Sequence, residues 1–193
     1  MEALARHLTA WIAAEVTAAG GAGAVFGLSG GLDSAVVAAL AARALPGRAL
    51  GLVMPCHGDP QDVDDAAAVA DRFALPVSTV DLSPVHDALL EQLSLGASGI
   101  RDDRLAAANL KPRLRMTTLY AFANHLDYRV LGTDNRSELA VGYFTKYGDG
   151  GADLLPLGSL VKGEVRDLAR HLGVPERIVA KPPSAGLWAG QTD

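Results

Sequence analysis

Apolar positions recur along this chain in two rhythms. Short, nearly unbroken apolar runs occur at AVFGLS (24–29), ALGLVMP (49–55), PVSTVDL (76–82) and YRVLGT (128–133). Their brevity, their β-branched and aromatic content and the Gly, Pro and Asp that bound them predict buried strands. Between them lie segments with helical spacing at 3–19, 34–45, 62–73, 83–93, a long one ending near Asn124, and shorter ones at 135–141, 162–171 and 175–180. The 34–45 segment is almost entirely Ala, Val and Leu, as expected of a helix covered on most sides. Ser83-Pro84 reads as an N-cap followed by proline at the first helical position. The stretches 94–103 and 142–159 read as loops, the second rich in glycine.

Strands alternating with helices predict an α/β fold: a Rossmann-like parallel sheet of about five strands with helices on both faces. In such sheets ligands bind beyond the C-terminal strand ends. Two motifs fall there, Ser29-Gly30-Gly31-Leu32-Asp33-Ser34 after the first strand and Gly132-Thr133-Asp134 after the fourth. Pro112 conflicts with the long helix. An interior proline costs about 3 kcal/mol, whereas one at the first helical position costs little. That helix is therefore expected to start or break near Lys111.

The first motif has the makings of an anion site. A strand, a glycine turn and a helix N-terminus aim backbone N–H groups and partial positive charge outward. Gly30 and Gly31 admit close backbone approach, and Ser29 and Ser34 supply hydroxyls. Asp33 repels phosphate by itself and makes sense as a ligand for Mg²⁺ bridging to phosphate oxygens. A plain turn with Ser34 capping the helix is the simpler alternative. No lysine follows the glycines, so the P-loop motif is absent. GAGAVFG (21–27) lies before and inside the strand, not after it, so it is no dinucleotide fingerprint.

Composition narrows the classes further. The chain of 193 residues suits one domain, 1–193, and its 49% hydrophobic content includes no run long enough to span a bilayer. The N-terminal segment reads as an amphipathic helix, not a signal peptide. A formal charge of −5 with scattered Lys and Arg argues against non-specific nucleic-acid binding, leaving room only for a local basic site. Cys56 stands alone, which suits a reducing cytoplasm, and it is expected to be a small buried hydrophobe. The histidines at 57, 86, 125 and 171 show no metal-ligand spacing. Tyr143 and Phe144 are expected in the core. Arg113 and Arg115 are two apart and should point to different faces of a helix.

Ser-Gly-Gly-Xaa-Asp-Ser after the first strand resembles the signature of the N-type ATP pyrophosphatases, whose fold is the adenine-nucleotide α-hydrolase type. NLKPRLRMTTLY (109–120), LGTDNRSELAVGYFTKYGDGGADLLPL (131–157), LVKGEV (160–165) and KPPSAGL (181–187), in that order, resemble NAD synthetase. The resemblance covers nearly the whole chain and implies an ammonia-dependent ligase. In that family the nicotinate carboxylate of deamido-NAD attacks the α-phosphate of ATP, and ammonia then displaces AMP from the adenylate.

Residue by residue, the resemblance implies that Gly27, Leu28, Ser29, Gly30, Gly31, Leu32, Asp33 and Ser34 hold the ATP phosphates. Thr133, Lys162 and Ser184 join them, and Asp33 and Lys162 serve catalysis. Asp33 and Glu138 would bind Mg²⁺, and Arg113, Lys146 and Asp153 would bind deamido-NAD. Gln61 falls in the segment that surrounds the adenine. The family is homodimeric, uses ATP as co-substrate and acts on small molecules, with no membrane or nucleic-acid partner. Its members continue past the equivalent of GLWAGQTD, so this chain is expected to lack a C-terminal segment. The alternative is an ATP-binding module that is inactive for want of that segment. A tRNA-modifying or sulfur-transferring pyrophosphatase fits the acidic balance and single cysteine less well.

Overall fold

The computed structural model describes residues 1–182, Gly186 and Trp188. Ser184 lies outside the described residues. The elements are α1 (Glu2–Ala18), β1 (Gly23–Gly27), α2 (Leu32–Ala44), β2 (Ala49–Val53), α3 (Pro60–Phe73), β3 (Val77–Thr79), α4 (Ser83–Gly96), α5 (Arg104–Leu126), β4 (Tyr128–Leu131), α6 (Arg136–Val141), α7 (Lys162–Leu172) and α8 (Glu176–Val179). The four strands are parallel in the order β3-β2-β1-β4.

The expected fifth strand is reduced to one bridge, Leu131 with Leu154. The reason is local. The Asp153 side chain takes the Val130 N–H at 2.8 Å, a donor that a neighbouring strand's carbonyl would otherwise accept. Pro156 then prevents the ladder from continuing.

Strand alternation divides the core into two layers. Ala24, Phe26, Val53 and Leu131 face a cluster with α1, α2, α3, α7 and α8, including Ile12, Val16, Val69, Val165 and Leu168. Val25, Leu52, Met54 and Val130 face the other side, where Ala123, Leu114, Leu119 and Phe122 of α5 cover them. Helix α2 has nine buried positions in thirteen residues, which explains its unpatterned apolar sequence. Cys56 is fully buried in the second layer.

Two predicted details are corrected. Helix α5 runs unbroken through Pro112, starting at Arg104 with Asp103 as its N-cap. The Asp103 carboxylate accepts from the amides of Leu105 and Ala106, and Pro112 is buried against the loop at Gly148. Capping and packing together offset the missing amide. Ser83 is not an N-cap: Leu82 holds that position. The Ser83 hydroxyl instead accepts the His57 N–H at 3.2 Å, tying the loop after β2 to α4.

Candidate active site at the sheet's switch point

Strands β1 and β4 are neighbours, and the chain leaves them toward opposite edges of the sheet. Their C-terminal ends therefore flank the crevice where open α/β sheets bind ligands. The 27–34 loop leaves β1 on one side. Thr133, half-buried, leaves β4 on the other.

The loop is shaped by its own hydroxyls. Ser34 Oγ donates to the Gly31 carbonyl at 2.9 Å and accepts the Ser29 N–H at 3.2 Å. With its one proton so used, Ser34 accepts from Ser29 Oγ at 3.0 Å, and Ser29 Oγ in turn accepts the Gly31 N–H at 3.2 Å. Ser34 is buried within α2 and caps nothing; Gly31 is the N-cap and supplies no side chain. The first-turn amides of α2, Leu32 and Asp33 among them, lack intrahelical acceptors and face the crevice with the helix dipole behind them.

Gly30 is held at φ +77°, and a Cβ there would be driven into the Asp62 carbonyl oxygen, with Asp65 Cβ 3.0 Å away. Helix α3 thus forms the loop's floor. It is fixed in turn from the far end of the chain. Lys181 Nζ donates to Asp62 at 2.7 Å and to Asp65 at 2.8 Å, and Arg177 Nε donates to Asp65 at 2.9 Å. Gln61 joins the same carboxylate at 3.4 Å. Burial alone would raise the Asp65 pKa, but Lys181 and Arg177 outweigh it and hold the carboxyl below its usual range. The ionised form is then favoured by folding. This contribution is present above about pH 4, the unfolded carboxylate's range, and is lost as pH falls through the lower folded value. Asp65→Asn is therefore expected to cost about 2 kcal/mol at pH 7, lowering Tm by roughly 5 °C. That gap should narrow below pH 4. Thermal melts at pH 3, 5 and 7 check it, and a gap that is constant with pH would contradict it.

Across the crevice the side chains converge on one ammonium. Lys162, the first residue of α7, reaches Asp33 Oδ2 at 2.6 Å and Glu138 Oε1 at 3.1 Å. Burial alone would lower the Lys162 pKa; the Asp33 and Glu138 charges offset it and the net shift is upward. Asn135 fixes the acids. Its Nδ2 donates to Asp33 Oδ1 at 3.0 Å, while its Oδ1 accepts the Ser137 and Glu138 amides. Glu138 closes a capping box by accepting the Asn135 N–H at 3.0 Å through its other oxygen. Glu138 is thus a first-turn helix carboxylate and a member of the cluster at once. Its side chain is only 22% exposed, not the solvated group its position alone would suggest.

Beneath this cluster sits Asp134, 4% exposed, with Oδ2 unpartnered among the described residues. Burial, then the charges of Asp149, Glu138 and Asp33, push its pKa up to about 7. An excess of carboxylate oxygen over positive charge, with one buried oxygen unsatisfied, suits a hard divalent cation such as Mg²⁺.

Of the other predicted residues, Arg113 and Lys146 meet, and Asp153 is held elsewhere, by Tyr120 and the Val130 amide. Arg113 is exposed and donates to the Lys146 carbonyl at 3.3 Å, so these two are brought together. The Lys146 ammonium lies 4.9 Å over the Tyr147 ring. Arg115 turns the other way, inward, and donates to the Met54 carbonyl at 3.2 Å. Asp153 accepts from Tyr120 Oη at 2.9 Å in addition to the Val130 amide; burial and then Asp153 push the Tyr120 pKa up to about 12. Tyr143 and Phe144 are not core residues, at 41% and 40% exposure. They lie in the 142–151 turns, Phe144 with its ring against Gly150. Sequence reasoning missed Asn135 and Asp134. The Asn-Xaa-Xaa-Glu spacing at 135–138 was a readable capping box, but nothing local shows that its amide also reaches across to Asp33.

The sequence model of NAD synthase matches residues 4–193. The chain belongs to the NAD synthase family. Within that family it is 51% identical to the NH(3)-dependent NAD(+) synthetase of Carboxydothermus hydrogenoformans over 96% of this chain and 76% of that protein. The counterpart in Finegoldia magna is 50% identical, over 98% of this chain and 77% of that one. Solved NAD synthase relatives share the fold. The NMN synthetase of Francisella tularensis superposes with a TM-score of 0.93 at 39% identity, covering all of this chain and 79% of that one. The NH3-dependent NAD synthetase of Campylobacter jejuni gives 0.85 at 31% identity, covering 92% and 76%.

Proposed function

We propose that the chain is an ammonia-dependent NAD synthetase that converts deamido-NAD to NAD with ATP. The observation that carries this reading is the crevice itself: a glycine–hydroxyl loop at a helix N-terminus facing a Lys162–Asp33–Glu138 cluster. The relatives' activity and their near-complete overlap with this chain support it.

The chemistry needs two anions brought together. The nicotinate carboxylate oxygen attacks the α-phosphorus of ATP, and the bond to pyrophosphate breaks. Ammonia then adds to the acyl carbon of the adenylate, the bond to AMP breaks, and a proton is released. Residues 27–34, with Thr133, cradle the phosphates through backbone amides. Lys162 neutralises charge on the triphosphate, and in the ligand-free chain it neutralises Asp33 and Glu138 instead. Mg²⁺ held by Asp33 and Glu138 would supply charge neutralisation at the phosphate oxygens. Arg113 and Lys146, near each other and exposed, offer positive charge to deamido-NAD, and Asp153 is assigned to the same substrate. Ser184, outside the described residues, is assigned to the triphosphate by the family resemblance alone. Val141, Tyr143, Phe144 and Tyr147 are exposed large hydrophobics within seven positions of one another, which suits a homodimer interface. The single buried thiol suits a reducing cytoplasm.

The experiment is NAD formation by the purified chain given MgATP, deamido-NAD and ammonium, with Asp33→Ala as control. NAD formed by the wild type and lost by at least 10³-fold in the variant is the expected result. ATP binding without turnover would favour the inactive binding module. Formation of NMN in preference to NAD would favour the reaction named for the Francisella relative, which superposes on all of this chain and over 79% of its own.

A further inference from the structure

A second constellation lies on the other face of the sheet, between the loop after β2 and helix α4. His57 Nε2 is 2.7 Å from Asp87 Oδ1, and His86 Nδ1 is 3.3 Å from the same oxygen. The three ligand-type atoms lie within 4.8 Å of one another. No spacing in the sequence announces them, because the residues come from two elements that the β2–α3–β3 crossover brings back together.

The tautomer of His86 is decided by its other nitrogen. His86 Nε2 lies 3.2 Å from the Ala107 carbonyl oxygen, which can only accept. The proton of a neutral His86 ring is therefore on Nε2, and the Nδ1 lone pair faces a carboxylate oxygen. A cation placed between these two acceptors would satisfy both. His86 is 5% exposed. A backbone carbonyl that orients a histidine ring is also how metal-bound histidines are usually held. His57 and Asp87 are much more open, at 45% and 61% side-chain exposure, so one ligand is buried and the coordination sphere has a side open to water. Asp81 and Lys111 lie near the cluster, Arg101, Asp102 and Arg104 line the cavity beside His86, and Arg115 is further in beside Cys56.

We propose that His57 Nε2, His86 Nδ1 and an Asp87 carboxylate oxygen hold a divalent transition-metal ion of the zinc class, with water in the remaining position. Two imidazoles and one carboxylate favour such an ion over Mg²⁺. Bound there, it pins the loop after β2 to α4 and, through the Ala107 carbonyl, to α5. The site is separate from the Asp33–Glu138 pair and stands whatever reaction the crevice performs.

The probe is Co²⁺ added to the untagged full chain and read by visible absorption. One equivalent giving the intense bands of four-coordinate Co²⁺ with nitrogen ligands, displaced by Zn²⁺ and not by millimolar Mg²⁺, is expected. His57→Ala and Asp87→Asn should each weaken binding more than tenfold while leaving the metal-free Tm within 2–3 °C or so, since both side chains are exposed. Asp33→Ala should leave the bands intact. Absence of the bands, bands that survive both His57→Ala and Asp87→Asn, or bands lost with Asp33→Ala would overturn the assignment. A doubly protonated His86 in metal-saturated protein, seen by ring ¹⁵N shifts, would overturn it equally.

Discussion

Gly30→Ala is expected to abolish NAD formation, by 10²-fold or more, in a chain that still folds. The backbone at Gly30 is left-handed, and a methyl group there meets the Asp62 carbonyl and Asp65 Cβ. The conformational penalty is about 1–2 kcal/mol and overpacking adds about 1–3 kcal/mol. Against a typical total of about 5–15 kcal/mol the fold survives. The local structure does not, because the cheapest relief is to lift the loop off α3. That shift re-aims the amides of the 27–34 loop by the ångström or so that positioning tolerates poorly. Gly31→Ala separates shape from access. Its Cβ would meet only the Ser29 hydroxyl, at 3.3 Å, so its Tm should stay near wild type. Lost activity there would report the closeness of the ligand. Steady-state kinetics and melts of the two variants decide it: a Gly30→Ala enzyme with wild-type kcat/KM would remove the loop from the mechanism.

The strands and the 27–34 turn were legible in the sequence because both are local. A five-residue buried run and a glycine turn declare themselves within a dozen positions, and period-two burial then assigns Phe26 and Val25 to opposite layers. What the sequence hid is long-range. Nothing near residue 30 says that α3 will lie under it, or that Lys181 will fix α3. Asn135 reads as a helix cap, and only the closed sheet brings its amide to Asp33, 102 residues away. Pro112 misled for the opposite reason. Its local penalty is real, but the cap at Asp103 and the burial of the ring against Gly148 outweigh it. The approach of His57 to His86 was hidden in the same way, since 28 residues of intervening chain separate two side chains whose rings lie 5.6 Å apart.

Lys162→Gln is expected to cost turnover by about 10³-fold while tightening the binding of a divalent cation in the absence of ATP. In the ligand-free chain one ammonium serves two carboxylates, Asp33 at 2.6 Å and Glu138 at 3.1 Å. Removing it leaves both acids, and Asp134 beneath them, with their repulsion uncompensated. Breaking such a pair from one side costs about 3–5 kcal/mol when buried, and less here because the three side chains are 17–25% exposed. The metal-free variant should therefore melt below wild type, and millimolar Mg²⁺ should restore most of the difference. A cation entering the wild-type site must compete with Lys162; in the variant it need not, so Mn²⁺ titrated without nucleotide should bind more tightly. Catalysis moves the other way. On the proposed mechanism an incoming triphosphate would take over Lys162, and Asp33 and Glu138 would then be free to hold a divalent cation. Glutamine can donate a hydrogen bond there but cannot neutralise developing charge, and the loss of one preorganised donor of this kind costs 10²–10³-fold, about 3–4 kcal/mol. Tighter metal binding with lower kcat is the signature of a lysine exchanged between acids and substrate. Weaker metal binding together with lower kcat would instead make Lys162 a fixed strut that holds Asp33 and Glu138 in place.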